Sequence, residues 1–149
     1  MSAERHNRKP NILLVEDNPG DVDLLRLAFA NANLQCDLTV LEDGGEALAL
    51  VRQEGKYAGM PAPDLAILDL NIPKNDGLEI LGAMRANRVY ANVPVAVFSS
   101  SSSPRERAAM ESYNIRRFIT KPSDLEEFMK IGGIVKALLE DRESGSTAV

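Results

Sequence analysis

The sequence predicts an α/β protein: a parallel sheet of five strands with helices on both faces. Three observations predict it. Short apolar runs alternate with amphipathic stretches five times along the 149 residues. Each run is apolar throughout rather than at every second residue, as a strand covered on both faces requires. Strand–helix–strand alternation, finally, brings each strand back parallel to the last through a right-handed crossover. The expectation is a three-layer (βα)5 sandwich forming one domain over residues 10–142, with flexible tails at 1–9 and 143–149.

Ile12–Val15 is the first apolar run, of buried-strand length. Asn18-Pro19-Gly20-Asp21 then supplies a cap, a proline at the first helical position and an acid in the first turn, opening a helix over about 19–32. Its Val22, Leu25, Ala28 and Phe29 share a face. Leu38–Leu41 is the second strand, and Asp43 with Glu46 opens a helix that buries Ala47, Leu48, Leu50 and Val51. Two glycines and two prolines make 55–63 a loop. Leu65–Leu68 is the third strand, followed by a helix over about 78–86. Val95–Phe98 is the fourth, and Ser103-Pro104 with Glu106 repeats the cap signature. Arg117–Ile119 is a short fifth strand, and Ser123 with Glu126 caps a last helix with Leu125, Phe128, Ile131, Val135 and Leu138 on one side. Gly132-Gly133 lies inside that helix, and nothing in the sequence accounts for it.

Composition narrows the function. The first ten residues hold three basic side chains and one acidic, so the overall −5 leaves −7 on the remainder. That balance argues against an extended nucleic-acid surface. No apolar run approaches the ~20 residues of a membrane span, so no membrane association is expected. One cysteine, Cys36, fits a reducing cytoplasm. His6 is the sole histidine and lies in the N-terminal tail, which leaves no histidine triad or imidazole metal site.

Ligands of open α/β sheets bind beyond the carboxyl ends of the strands. Glu16 and Asp17 follow the first strand, Asp69 the third, Ser99 the fourth and Lys121-Pro122 the fifth. Each has a plainer reading alone: helix-dipole acids, a turn-forming aspartate, a polar loop of five serines, a solvated lysine. Their placement at successive strand ends is what makes them a constellation. Three gathered carboxylates repel one another unless a cation compensates. Oxygen donors suit a hard ion, Mg²⁺ first and Mn²⁺ second. Mg²⁺ together with Lys121 balances the three acids, and Asp69 can then attack phosphorus with its repulsion from phosphoryl oxygens screened. The product is an aspartyl phosphate.

These residues carry a resemblance. Leu13-Leu14-Val15-Glu16-Asp17, Leu68-Asp69-Leu70-Asn71-Ile72-Pro73 with Asp76-Gly77, Ser99 and Lys121-Pro122 stand in the order and spacing of response regulator receiver domains, over roughly 11–140. The resemblance implies a flavodoxin-like sheet in the order 2-1-3-4-5, with Asp69 as phosphoacceptor. It implies Mg²⁺ held by Asp17, Asp69 and the Asn71 carbonyl, with Glu16 acting through water. Lys121 pairs with the phosphoryl group on this reading, and the Lys121–Pro122 peptide is expected to be cis. Ser99 takes the place of the switch hydroxyl and Phe118 that of the switch aromatic, where tyrosine is commoner. The 55–63 loop, the 73–77 run and the segment 125–128 resemble receivers that partner bacterial phytochrome histidine kinases.

The expected function is therefore a single-domain response regulator that takes a phosphoryl group on Asp69 from such a kinase. It would signal through a downstream protein or a phosphotransfer partner, catalyse only its own phosphorylation and dephosphorylation, and form a homodimer. Two rivals stand beside it. A degenerate receiver would bind partners regardless of phosphate. A haloacid-dehalogenase-type phosphohydrolase also uses an aspartate, Mg²⁺ and a lysine, but places its acids at the end of the first strand.

Overall fold

In a computed structural model the described residues are 8–69, 77–100 and 104–148, the side chains of 142–148 excepted. Five strands, β1 (Asn11–Val15), β2 (Asp37–Leu41), β3 (Leu65–Leu68), β4 (Val95–Ser99) and β5 (Arg117–Thr120), form one parallel sheet in the order β2-β1-β3-β4-β5. The helices are α1 (Pro19–Asn31), α2 (Gly44–Val51), α3 (Gly77–Ala86), α4 (Pro104–Glu111), α5 (Leu125–Met129) and α6 (Ile131–Ala148). The 55–63 loop contains one 3₁₀ turn, Gly55–Tyr57, whose Tyr57 hydroxyl donates to the Glu46 carboxylate.

The continuous apolar runs divide by parity between two cores. Leu13, Val15, Ala66, Leu68, Val95 and Val97 pack with Leu48, Val51, Ile80, Leu81, Met84 and Met110 of α2, α3 and α4. Ile12, Leu14, Leu65, Ile67, Ala96 and Phe98 face the other way, onto Leu25 and Phe29 of α1 and Phe128, Ile131 and Val135 of α5 and α6. Phe98 meets Phe128 edge to face at 5.7 Å.

Two of the expected caps form as read. Asn18 Oδ1 accepts from the Gly20 and Asp21 amides at 2.9 and 3.2 Å, and Asp43 accepts from the Glu46 amide at 2.8 Å. The Ser103 cap expected before α4 lies outside the described residues. The C-terminal helix departs from expectation. Asp124, not Ser123, is the cap, accepting from the Glu127 amide at 2.8 Å, and the helix breaks at Lys130 into α5 and α6. Aspartate caps as well as serine does, so the sequence offered two adjacent candidates of equal strength. The Lys121–Pro122 peptide is trans, as is every described peptide bond, against the cis form expected. Trans is the lower-energy isomer of an X–Pro bond by about 0.5–1 kcal/mol.

Arg85, at the end of α3, ties two loops to the fold. Its guanidinium donates to the carbonyls of Ala91 and Val93 before β4 and of Tyr113 before β5, at 3.0, 2.9 and 2.8 Å. The structure also explains Gly132. A Cβ there would lie 2.2 Å from the Ala28 carbonyl oxygen and 2.9 Å from Ala32 Cβ, so only glycine lets α6 rest directly on the backbone of α1. Around Gly133 a Cβ would meet nothing within 4 Å.

Gly132→Ala is therefore expected to cost about 1–3 kcal/mol by forcing α1 and α6 apart. Gly133→Ala should be neutral or gain up to about 1 kcal/mol from its greater helix propensity. Urea denaturation of the two variants checks this, and equal midpoints would remove the close-approach explanation.

Candidate functional site

The parallel ladder brings the strand ends together. The Glu16 amide donates to the Leu41 carbonyl, the Asp69 amide to Val15 and the Lys121 amide to Ser99, at 2.9, 3.0 and 2.8 Å. Side chains at or just past the ends of β1, β3, β4 and β5 thus converge on one edge of the sheet. Glu16, Asp69 and Ser99 are the buried polar residues there, and Asp17 is exposed.

Lys121 sits at the centre. Its ammonium lies 2.9 Å from Glu16 Oε2, 2.8 Å from Asp21 Oδ2 and 3.1 Å from Asp69 Oδ2, with the Phe98 ring centroid 5.1 Å away. Burial by itself would lower the Lys121 pKa. The hydrogen bonds it donates to Asp21 and Asp69, with its ion pair to Glu16, more than reverse this and hold it above the ordinary lysine range. Glu16 goes the other way. Burial raises it, Lys121 lowers it, the Asp69 carboxylate raises it again, and the outcome is pushed up to about 7.

The carboxylates of Glu16, Asp17 and Asp69 each bring one oxygen within 4.8 Å of the others. Glu16 Oε1 accepts from the Asn18 amide at 3.1 Å, whereas buried Oε2 has only the Lys121 ion pair and no hydrogen bond among the described residues. A buried carboxylate oxygen short of a donor, inside an all-oxygen set, fits a hydrated divalent cation.

Of the residues expected at this site, Glu16, Asp17, Asp69, Ser99 and Lys121 are gathered here. Asn71 lies outside the described residues. Phe118, on β5, pairs with Val97 of β4 and is half-buried, with the Arg107 guanidinium carbon of α4 over its ring, 4.5 Å from the centroid. Sequence reading missed Asp21, which it took as a helix-opening acid. Helical side chains lean toward the N-terminus, and α1 begins beside the sheet's carboxyl edge. That geometry was the available signal that Asp21 would reach the cluster.

The family model of the response regulator receiver domain matches residues 12–131. Response regulator Rcp1 of Synechocystis sp. is 32% identical over 139 residues, covering 93% of this chain and 95% of that protein. The crystal structure of the phosphorylated cyanobacterial phytochrome response regulator RcpA superposes with a TM-score of 0.78 at 37% identity, covering 85% of this chain and 91% of that one. The Mn²⁺-bound form of Rcp1 gives a TM-score of 0.80 at 33% identity, covering 88% and 95%. No helix among the described residues is long and apolar enough to cross a membrane.

The raised Glu16 pKa has a consequence for stability. Between its ordinary 4.5 and about 7 the native state binds the proton more tightly than the unfolded chain. The stability this contributes is full below about pH 4.5 and is lost as pH rises through about 7. In EDTA, urea midpoints should fall from pH 5 to pH 7.5 more steeply for the wild type than for Glu16→Gln, by roughly 1–3 kcal/mol in free energy. Parallel slopes for the two proteins would contradict the assignment.

Proposed function

The chain belongs to the response regulator receiver family, and from that premise we propose that Asp69 is its phosphoacceptor and a histidine kinase of the phytochrome type its donor. One observation carries the reading: the Lys121 ammonium 3.1 Å from the Asp69 carboxylate, in a pocket of further acids at the carboxyl edge of the sheet. The similarity to RcpA and Rcp1 supports the choice of kinase.

A bond forms between an Asp69 carboxylate oxygen and phosphorus as the phosphorus–nitrogen bond of the kinase phosphohistidine breaks, the electron pair leaving with the imidazole. Lys121 draws one phosphoryl oxygen by its charge. Ser99, buried at the end of β4, donates its hydroxyl to another. Glu16, Asp17 and Asp69 would hold Mg²⁺, helped by the Asn71 carbonyl, and the ion would neutralise charge on the transferring group. Water is the second acceptor, returning Asp69 to the free acid, so the chain turns over no substrate beyond its own phosphoryl group.

The new dianionic group changes what Ser99 bonds to, and the end of β4 follows it. Phe118, on the neighbouring strand, then turns inward from beneath Arg107. The surface of α4, β5 and α6 changes shape, and with it the contacts to a second copy, a downstream protein or a phosphotransfer partner. The single cysteine supports work in the reducing cytoplasm.

Incubation with acetyl phosphate should add one phosphoryl group by intact mass, with Mg²⁺ but not with EDTA, and none to Asp69→Asn. Mass is the suitable readout because the chain has no tryptophan for fluorescence quenching. Uptake by Asp69→Asn would displace the phosphoacceptor. Phe118→Ala should phosphorylate at a rate within about twofold of wild type yet lose the phosphorylation-dependent change in dimerisation. Sedimentation with and without the phosphodonor reads this, and a Phe118→Ala chain that no longer phosphorylates would refute the division of roles.

A further inference from the structure

We propose that Asp21 is a positioning residue for this reaction: it holds the Lys121 ammonium in place and competes with the phosphodonor for its charge. The proposal rests on the phosphoacceptor reading above. Asp21 Oδ2 makes the shortest of the three carboxylate contacts to Lys121, 2.8 Å, across 100 residues of sequence. It is also the most exposed of the three, with 19% of its side chain open to solvent against 0% for Glu16 and 6% for Asp69.

Asp21 stands apart from the carboxylates suited to a cation. Glu16 and Asp69 belong with Asp17 to the group whose oxygens converge within 4.8 Å, and Asp21 does not. A divalent ion that draws on Glu16 and Asp69 leaves Asp21 as the one carboxylate of the three given wholly to the ammonium. Its footing is firm. The Asp21 amide is held by Asn18 Oδ1 at 3.2 Å, in the first turn of a helix that α6 abuts at Gly132. A flexible lysine anchored to a rigid helix is already aimed before the donor arrives.

The same contact has an opposing effect. As the bond from Asp69 to phosphorus forms and the bond from phosphorus to the donor oxygen breaks, the pair leaving with acetate, the phosphoryl oxygens need the ammonium that Asp21 already shares. Charge and position can therefore be separated. Asparagine keeps an acceptor oxygen for Lys121 and removes the competing charge; alanine removes both. A role limited to the helix dipole would touch only the stability of α1.

Phosphorylation rates by intact mass, against acetyl phosphate concentration at fixed Mg²⁺, test this in wild type, Asp21→Asn, Asp21→Ala and Asp23→Asn. The last removes an exposed acid two residues along the same helix. For Asp21→Asn the half-saturating donor concentration should fall about three- to tenfold, with the saturating rate within about twofold of wild type. Asp21→Ala should lose at least about fivefold in saturating rate, and Asp23→Asn should shift neither quantity more than about twofold. An unchanged half-saturation for Asp21→Asn, or an equal shift for Asp23→Asn, overturns the proposal. If wild type takes no phosphoryl group at all, the phosphoacceptor reading falls and takes this one with it, a result distinct from either.

Discussion

One ammonium among four carboxylates is the constraint on which the molecule turns. Glu16, Asp21 and Asp69 all lie against Lys121, and Asp17 stands with Glu16 and Asp69. Repulsion would scatter such a group in a flexible chain. Here the backbone forbids it, because Glu16, Asp69 and Lys121 are each pinned through their own amides to a neighbouring strand. The hydrophobic layers on both sides of the sheet supply the free energy that keeps the acids together, and the site retains an unmet demand for positive charge. A demand of that kind is what makes a small ion or a charge-shifting covalent group able to bias a whole domain.

Three of the described cations are put to different uses. Lys121, a compact point charge, is set among carboxylates, where its donors can be redistributed. Arg85, a planar fork, is spread over backbone carbonyls and acts as a clasp between loops. Arg107 lies over the Phe118 ring at the surface, where the contact is worth about 0.5–1 kcal/mol.

The sheet was legible in the sequence because two-sided burial writes itself as continuous apolar runs, and five such runs admit few arrangements. Most of the site was legible for the same reason: topology alone sends Glu16, Asp69, Ser99 and Lys121 to one edge. What sequence could not show were contacts between elements far apart in the chain. Asp21 reaches Lys121 only because α1 happens to start beside that edge. Gly132 looked like a defect in a helix because its partner, the Ala28 carbonyl, lies more than a hundred residues earlier. The choice between Ser123 and Asp124 as cap depended on a backbone turn that two adjacent good capping residues leave undecided.

The two helical layers are not mechanically equivalent. At Gly132, α6 rests directly on the Ala28 backbone of α1, with no room there for even a methyl group. In the opposite layer, Pro104 to Ala108 of α4 are all exposed and Met110, near its end, is the residue it buries. Arg85 fixes the chain just beyond, at Tyr113. The helix is thus buried toward its C-terminal end, and its exposed first turn begins five residues past Ser99. A change at the end of β4 would therefore reach the exposed first turn of α4 before its buried end, while α6, resting on the Ala28 backbone of α1, has less room to follow.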